Sequence, residues 1–197
     1  IYDALTETDV TEEYTNGDKS IRFANNECLI LSKTEETYNS QNIYITVLDN
    51  KGNEKISFSS NDINDKYNIE WDFDWGYGAC GSHIYYTEID SLGKNICFID
   101  LERNKFYVST NLPQSNMGRI FSDGEYIVDS QPNHGQAIIN CDTEQVVGFK
   151  NGSYNIEGGL SDGKVYCADD QRDVKAYLNV DSSIALELNY EDTTVTD

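Results

Sequence analysis

The stretch Ser161-Asp162-Gly163-Lys164-Val165-Tyr166-Cys167, answered after a polar gap by Ala176-Tyr177-Leu178-Asn179-Val180, decides the fold. Asp-Gly supplies residues that tolerate positive φ in a tight turn. A short β-favouring run follows, and a second run ends on a residue with a side-chain acceptor. This is the text of strands joined by polar turns.

The cadence recurs along the chain. Val47-Leu48-Asp49, Phe98-Ile99-Asp100, Ile138-Ile139-Asn140 and Tyr177-Leu178-Asn179 place an acceptor after two apolar residues, with spacings of 51, 40 and 39 residues. A second column precedes it at Asn26–Ile30, Ser82–Tyr86, Gly124–Val128 and Gly163–Cys167. The two columns lie 16 residues apart in the last two units, and 18 and 23 apart in the earlier ones. The extra residues fall in polar text such as Glu35 to Asn42, which reads as loop. Each unit reads as four short strands, near 118–121, 125–129, 137–140 and 146–149 in the third and 154–160, 164–168, 176–180 and 184–188 in the fourth.

The expected fold is therefore all-β, a β-propeller-like array of about four four-stranded antiparallel units, with five if residues 1–20 contribute. The units fall near 21–60, 71–110, 118–150 and 154–188 within one domain spanning 21–190. Residues 1–20 are an acidic tail or a closing strand for the last sheet, and 191–197 a C-terminal tail. One such sheet cannot bury both faces alone, so the repeat implies stacked neighbours.

Ser161-Asp162-Gly163 followed by Lys164-Val165-Tyr166-Cys167, and then by Ala176-Tyr177-Leu178-Asn179-Val180-Asp181, resembles the grammar of WD40-like and TolB-like β-propellers. The position of the WD aspartate corresponds to Asp49, Asp100, Asn140 and Asn179, without the tryptophan of a true WD dipeptide. Phe121-Ser122-Asp123-Gly124 also resembles the bacterial WG-repeat pattern, although Trp75-Gly76, the only Trp-Gly pair, stands out of register. The resemblance spans roughly residues 21 to 190. It implies architecture, and binding or scaffolding surfaces rather than a named activity.

Charge narrows the partners. Against 14 Lys and Arg stand 35 Asp and Glu among 197 residues, a formal net charge of 14 − 35 = −21. Nucleic acid and anionic membrane surfaces select for basic patches and are not expected partners. No apolar run approaches the roughly 18 to 20 residues that cross a bilayer, so membrane insertion is not expected. Like charge at this density opposes self-association, and a monomer is expected. Low lysine with many Asn, Tyr and Asp resembles secreted or surface proteins of Gram-positive bacteria, which sets the expected location.

The five cysteines, Cys28, Cys80, Cys97, Cys141 and Cys167, form no CxxC, and four lie in or beside apolar runs. They read as buried reduced thiols. His83 and His134 are the only histidines and neither has a neighbour to share a metal. No P-loop occurs.

One cluster stands out as a ligand site. Glu70-Trp71-Asp72-Phe73-Asp74-Trp75 alternates strictly, so a strand would place its aromatics on one face and its acids on the other. Trp71 and Trp75 beside Asp72 and Asp74 are the candidate ligand-binding residues, as a sugar platform with polar partners. The acid row could alternatively hold Ca²⁺; no other cofactor is expected. The competing reading is an ordinary strand with aromatics in the core and acids in water. The function expected first is a non-enzymatic module presenting a rigid acidic loop surface to a protein partner. The alternative is a carbohydrate-binding or glycosidase-like propeller whose partner is a glycan.

Overall fold

A computed structural model describes residues 2–3, 8–9, 14, 18–38, 40–71, 76–90, 95–109, 119–131, 135–148, 155–169, 174–181 and 183–188. Strands β1 (Tyr2–Asp3) and β2 (Thr8–Asp9) pair antiparallel with each other. The first large sheet comprises β3 (Lys19–Ala24), β4 (Cys28–Thr37), β5 (Ser40–Asp49) and β6 (Glu54–Ser59). Helix α1 (Ser60–Tyr67) follows. The second sheet comprises β7 (Tyr77–Gly81), β8 (Ile84–Glu88), β9 (Ile96–Asp100) and β10 (Lys105–Ser109). The third holds β11 (Arg119–Ser122), β12 (Tyr126–Gln131), β13 (Gly135–Asn140) and β14 (Val146–Gly148). The fourth holds β15 (Asn155–Ser161), β16 (Lys164–Asp169), β17 (Val174–Asn179) and β18 (Ile184–Leu188).

The protein is all-β, and its four large sheets are four-stranded antiparallel meanders in which spatial order follows chain order. The expected repeat of four units is thus present. Asp162 and Gly163 both take positive φ (51° and 64°) between paired Ser161 and Lys164, the two-residue turn that Asp-Gly favours.

Packing divides the chain into two compact units. The first contains Ile1–Ala79, Tyr85–Ser91 and Ile96–Val108, and the second Cys80–Ile84, Leu92–Asn95 and Ser109–Asp197. In the first, Ile30, Ile45 and Val47 of the first sheet share a core with Tyr85, Cys97 and Ile99 of the second. Phe58 stacks on Phe106 at 4.7 Å between ring centroids. Every residue of Ile96–Asp100 is buried, and Ile96–Ile99 reads as an unbroken apolar run rather than an alternating one. In the second unit, Val128 and Ile138 pack against Val165, Cys167, Ala176 and Leu178. Full burial of each large aliphatic contributes about 1.5–3 kcal/mol.

Three expectations change. Glu35 to Asn42 is not loop: β4 and β5 stay paired as far as Thr37 opposite Ser40. α1 was not anticipated, because its signal is a cap rather than a period. The Ser59 hydroxyl accepts the Asp62 amide at 3.3 Å, and the Asp62 carboxylate accepts the Ser59 amide at 2.6 Å, a reciprocal capping box. Residues 1–20 supply no strand to the last sheet among the described residues, since β1 and β2 pair only with each other. Residues 191–197 lie outside the described residues.

Candidate interaction surface

The recurring acceptor column closes hairpins. Asp49 Oδ1 accepts the Lys51 and Asn53 amides, each at 2.9 Å. Asp100 Oδ1 accepts Glu102 and Arg103 amides at 3.0 and 2.9 Å, and Asn140 Oδ1 accepts those of Asp142 and Thr143 at 3.0 and 2.8 Å. At the fourth position the Asn179 amide group donates to Ser183 Oγ at 2.9 Å, and Asp181 takes over the capping of the Ser183 amide. These bonds mimic a backbone turn, which is why Asp and Asn are interchangeable there. The Asn53 contacts hold the Asp49 carboxyl below its ordinary range, and the Ser183 contacts do the same for Asp181.

Asp100 differs in being fully buried. Its Oδ2 accepts Arg103 Nη1 at 3.1 Å and the Tyr107 hydroxyl at 3.0 Å, so the buried charge is both paired and hydrogen-bonded.

The residue just before the Asn26–Ile30 and Gly124–Val128 segments caps the first hairpin of its sheet and reaches the next sheet. In the first unit Asn25 Oδ1 accepts the Glu27 and Cys28 amides while Asn25 Nδ2 donates to the Tyr85 hydroxyl at 3.0 Å. That hydroxyl donates in turn to Glu27 at 2.8 Å. Burial pushes the Tyr85 phenol up, so it stays a donor. In the second unit Asp123 occupies the same place and accepts from Gly163.

One hairpin outgrows its sheet. β3 pairs with β4 no further than Lys33, and β6 pairs with β5 no further than Tyr44. The β4–β5 ladder continues for four more pairs, Thr34↔Ile43, Glu35↔Asn42, Glu36↔Gln41 and Thr37↔Ser40. Thr34 to Tyr38 are all exposed, and Tyr38 at the end of the ladder is 101% exposed. The β5 side of the arm is braced by α1: the Ile43 amide donates to Ser60 Oγ at 3.0 Å, and Ser60 Oγ donates to Asn42 Oδ1 at 2.8 Å. At the base Lys33 Nζ lies 3.2 Å from Asp18 and 3.1 Å from Glu35.

Of the residues singled out as a ligand cluster, Trp71 is 7% exposed and packs in the core with Ile63 and Tyr85. Its amide donates to Asn64 Oδ1 at 2.9 Å, and its indole nitrogen meets no acceptor among the described residues. A buried ring offers no face to a sugar, which corrects the assignment of Trp71 as a platform residue. Asp72, Asp74 and Trp75 lie outside the described residues, as does His134. His83 is exposed in the β7–β8 turn, with φ of 62°.

All five cysteines are free, with Cys80 half-buried and the others buried. Burial pushes the Cys80 and Cys167 thiols up to about 12, and that of Cys97 further. Among the described residues no three Asp, Glu, His or Cys side chains gather to hold a metal. None of the described helices is long and apolar enough to cross a membrane.

No family model and no curated protein matches the chain. Among solved structures it is similar to the crystal structure of BamB from Moraxella catarrhalis, with 13% identity and a TM-score of 0.40 over 89% of this chain and 62% of that one. The chain thus spans less than two thirds of the length of that protein.

Proposed function

We propose that the chain is a non-enzymatic binding module that presents an acidic hairpin surface to a basic protein partner. One observation carries this reading: Asp100 and Asp169 are the only fully buried carboxylates among the residues whose burial is described. The other acids whose burial is described reach water, many of them on hairpins, in a chain of net charge −21. Such a surface attracts basic partners and accelerates their encounter. The recurring polar residues support the same reading, because they are committed to closing turns. The sheets are read as blades of a propeller-type array, since consecutive sheets share a core within each unit. A location at the bacterial cell surface accords with the composition.

The test is to isolate partners at low salt from the cells that make the chain, then to measure the purified pair from 50 to 500 mM NaCl. A basic protein whose Kd rises at least tenfold over that range supports the module. A glycan array run with Ca²⁺ and with chelator is the opposing arm. Specific sugar binding lost on Trp75→Ala would replace the protein partner with a glycan, and loss on chelation would make Asp72 and Asp74 the cation ligands.

A further inference from the structure

We infer that the outer edge of β4 at Thr34–Glu36, with Tyr38 beside it, is a strand-addition site for an extended basic segment of a protein partner. The inference rests on the binding-module reading and names where and how a partner is held. Four features of the arm carry it.

First, no described strand pairs with β4 beyond Lys33 on the side away from β5, so among the described residues the backbone of Thr34–Glu36 forms an open edge. Exposed edges of this kind template a further strand. Second, the opposite edge is not equivalent, since Ser60 and Asn61 of α1 bond Asn42 and Ile43 there. The same bonds brace the arm, because an unsupported two-stranded ribbon is marginal in water. Third, the edge is acidic. Glu35 and Glu36 stand on opposite faces of β4, so a lysine or arginine at alternate positions of an added strand meets a carboxylate on either face. Of the two lysines at the base of the edge, Lys33 is held by Asp18 and Glu35, and Lys19 stands opposite it on β3. Fourth, Tyr38 is wholly exposed beyond the edge. An amphipathic ring in that position can pack on an aliphatic side chain or under a cation.

The inference is tested with the whole chain and a capped Lys-Val alternating octapeptide. Its controls are the Glu-Val counterpart and a Lys-Val peptide N-methylated on alternate amides. Backbone hydrogen exchange is read across the protein. The Lys-Val peptide is expected to slow exchange within Thr34–Glu36 at least tenfold at millimolar concentration. The Glu-Val peptide and the N-methylated peptide should not. Glu35→Lys/Glu36→Lys should reverse the charge preference, and Tyr38→Ala should weaken binding several-fold with the fold intact by circular dichroism. Three results would overturn it: unchanged exchange at Thr34–Glu36, equal protection by the acidic peptide, or undiminished binding of the N-methylated one. Should these peptides fail while the chain still binds a basic partner in a salt-sensitive manner, the strand-addition site falls and the module stands.

Discussion

The Asp123 carboxylate accepts the Gly163 amide at 3.3 Å through one oxygen while the other accepts the Glu125 and Tyr126 amides at 3.0 and 2.9 Å. One side chain thus caps the β11–β12 turn and ties it to the β15–β16 turn. Asp123→Ala should destabilise the second unit by about 1–3 kcal/mol, the cost of losing charge-assisted bonds to backbone amides. Asp123→Asn can keep the acceptor for its own turn and should cost less. Urea unfolding followed by hydrogen exchange would check both the size and the confinement to the second unit.

Asp100 gives a sharper contrast. Asp100→Ala removes the acceptor of the buried Tyr107 hydroxyl and of Arg103, and should cost about 3–5 kcal/mol. Asp100→Asn retains an oxygen for the turn, as Asn140 does naturally, and should fall between the alanine variant and the parent. Thermal denaturation of the three proteins reads the order directly.

The cysteines should be chemically quiet. With the Cys80 and Cys167 thiols near 12, the thiolate fraction of each at pH 8 is on the order of 10⁻⁴. Iodoacetamide at pH 8 should leave the folded protein unlabelled for hours and modify all five cysteines after urea unfolding. Rapid labelling of Cys80 in the folded protein would show that it is not shielded as described.

Glu88 predicts a pH effect of definite sign. Burial first, and the neighbouring Asp90 second, raise its carboxyl above the ordinary 4.5. The folded protein therefore holds this proton more tightly than the unfolded chain. Its contribution to stability is full below pH 4.5 and is lost as pH rises through the folded value. Glu88→Gln should raise Tm at pH 7, and the gain should vanish towards pH 4. Calorimetry at the two pH values separates this from a general packing change.

The four-sheet repeat was legible because two properties of it are local. Asp162-Gly163 encodes its own turn, and Asp49, Asp100 and Asn140 encode theirs through side-chain oxygens. The arm was missed for a physical reason: Glu35–Tyr38 and Gln41 are exposed and present no apolar face, and hydrophobic periodicity cannot report a strand whose side chains stay in water. α1 was missed because its signal was the pair Ser59 and Asp62, three residues apart. For Trp71, strict alternation said which residues share a face but not which face meets the core. Ile63 and Tyr85, distant in sequence, make that choice.

The most direct test of the account is the salt dependence of binding to the purified partner, compared between the parent chain and Glu35→Lys/Glu36→Lys. An acidic interaction module predicts a basic protein partner, a Kd that rises at least tenfold between 50 and 500 mM NaCl, and a further weakening in the charge-reversed variant. A partner whose affinity is indifferent to salt and to the reversed charges, or a Ca²⁺-dependent glycan bound in its place, would contradict it.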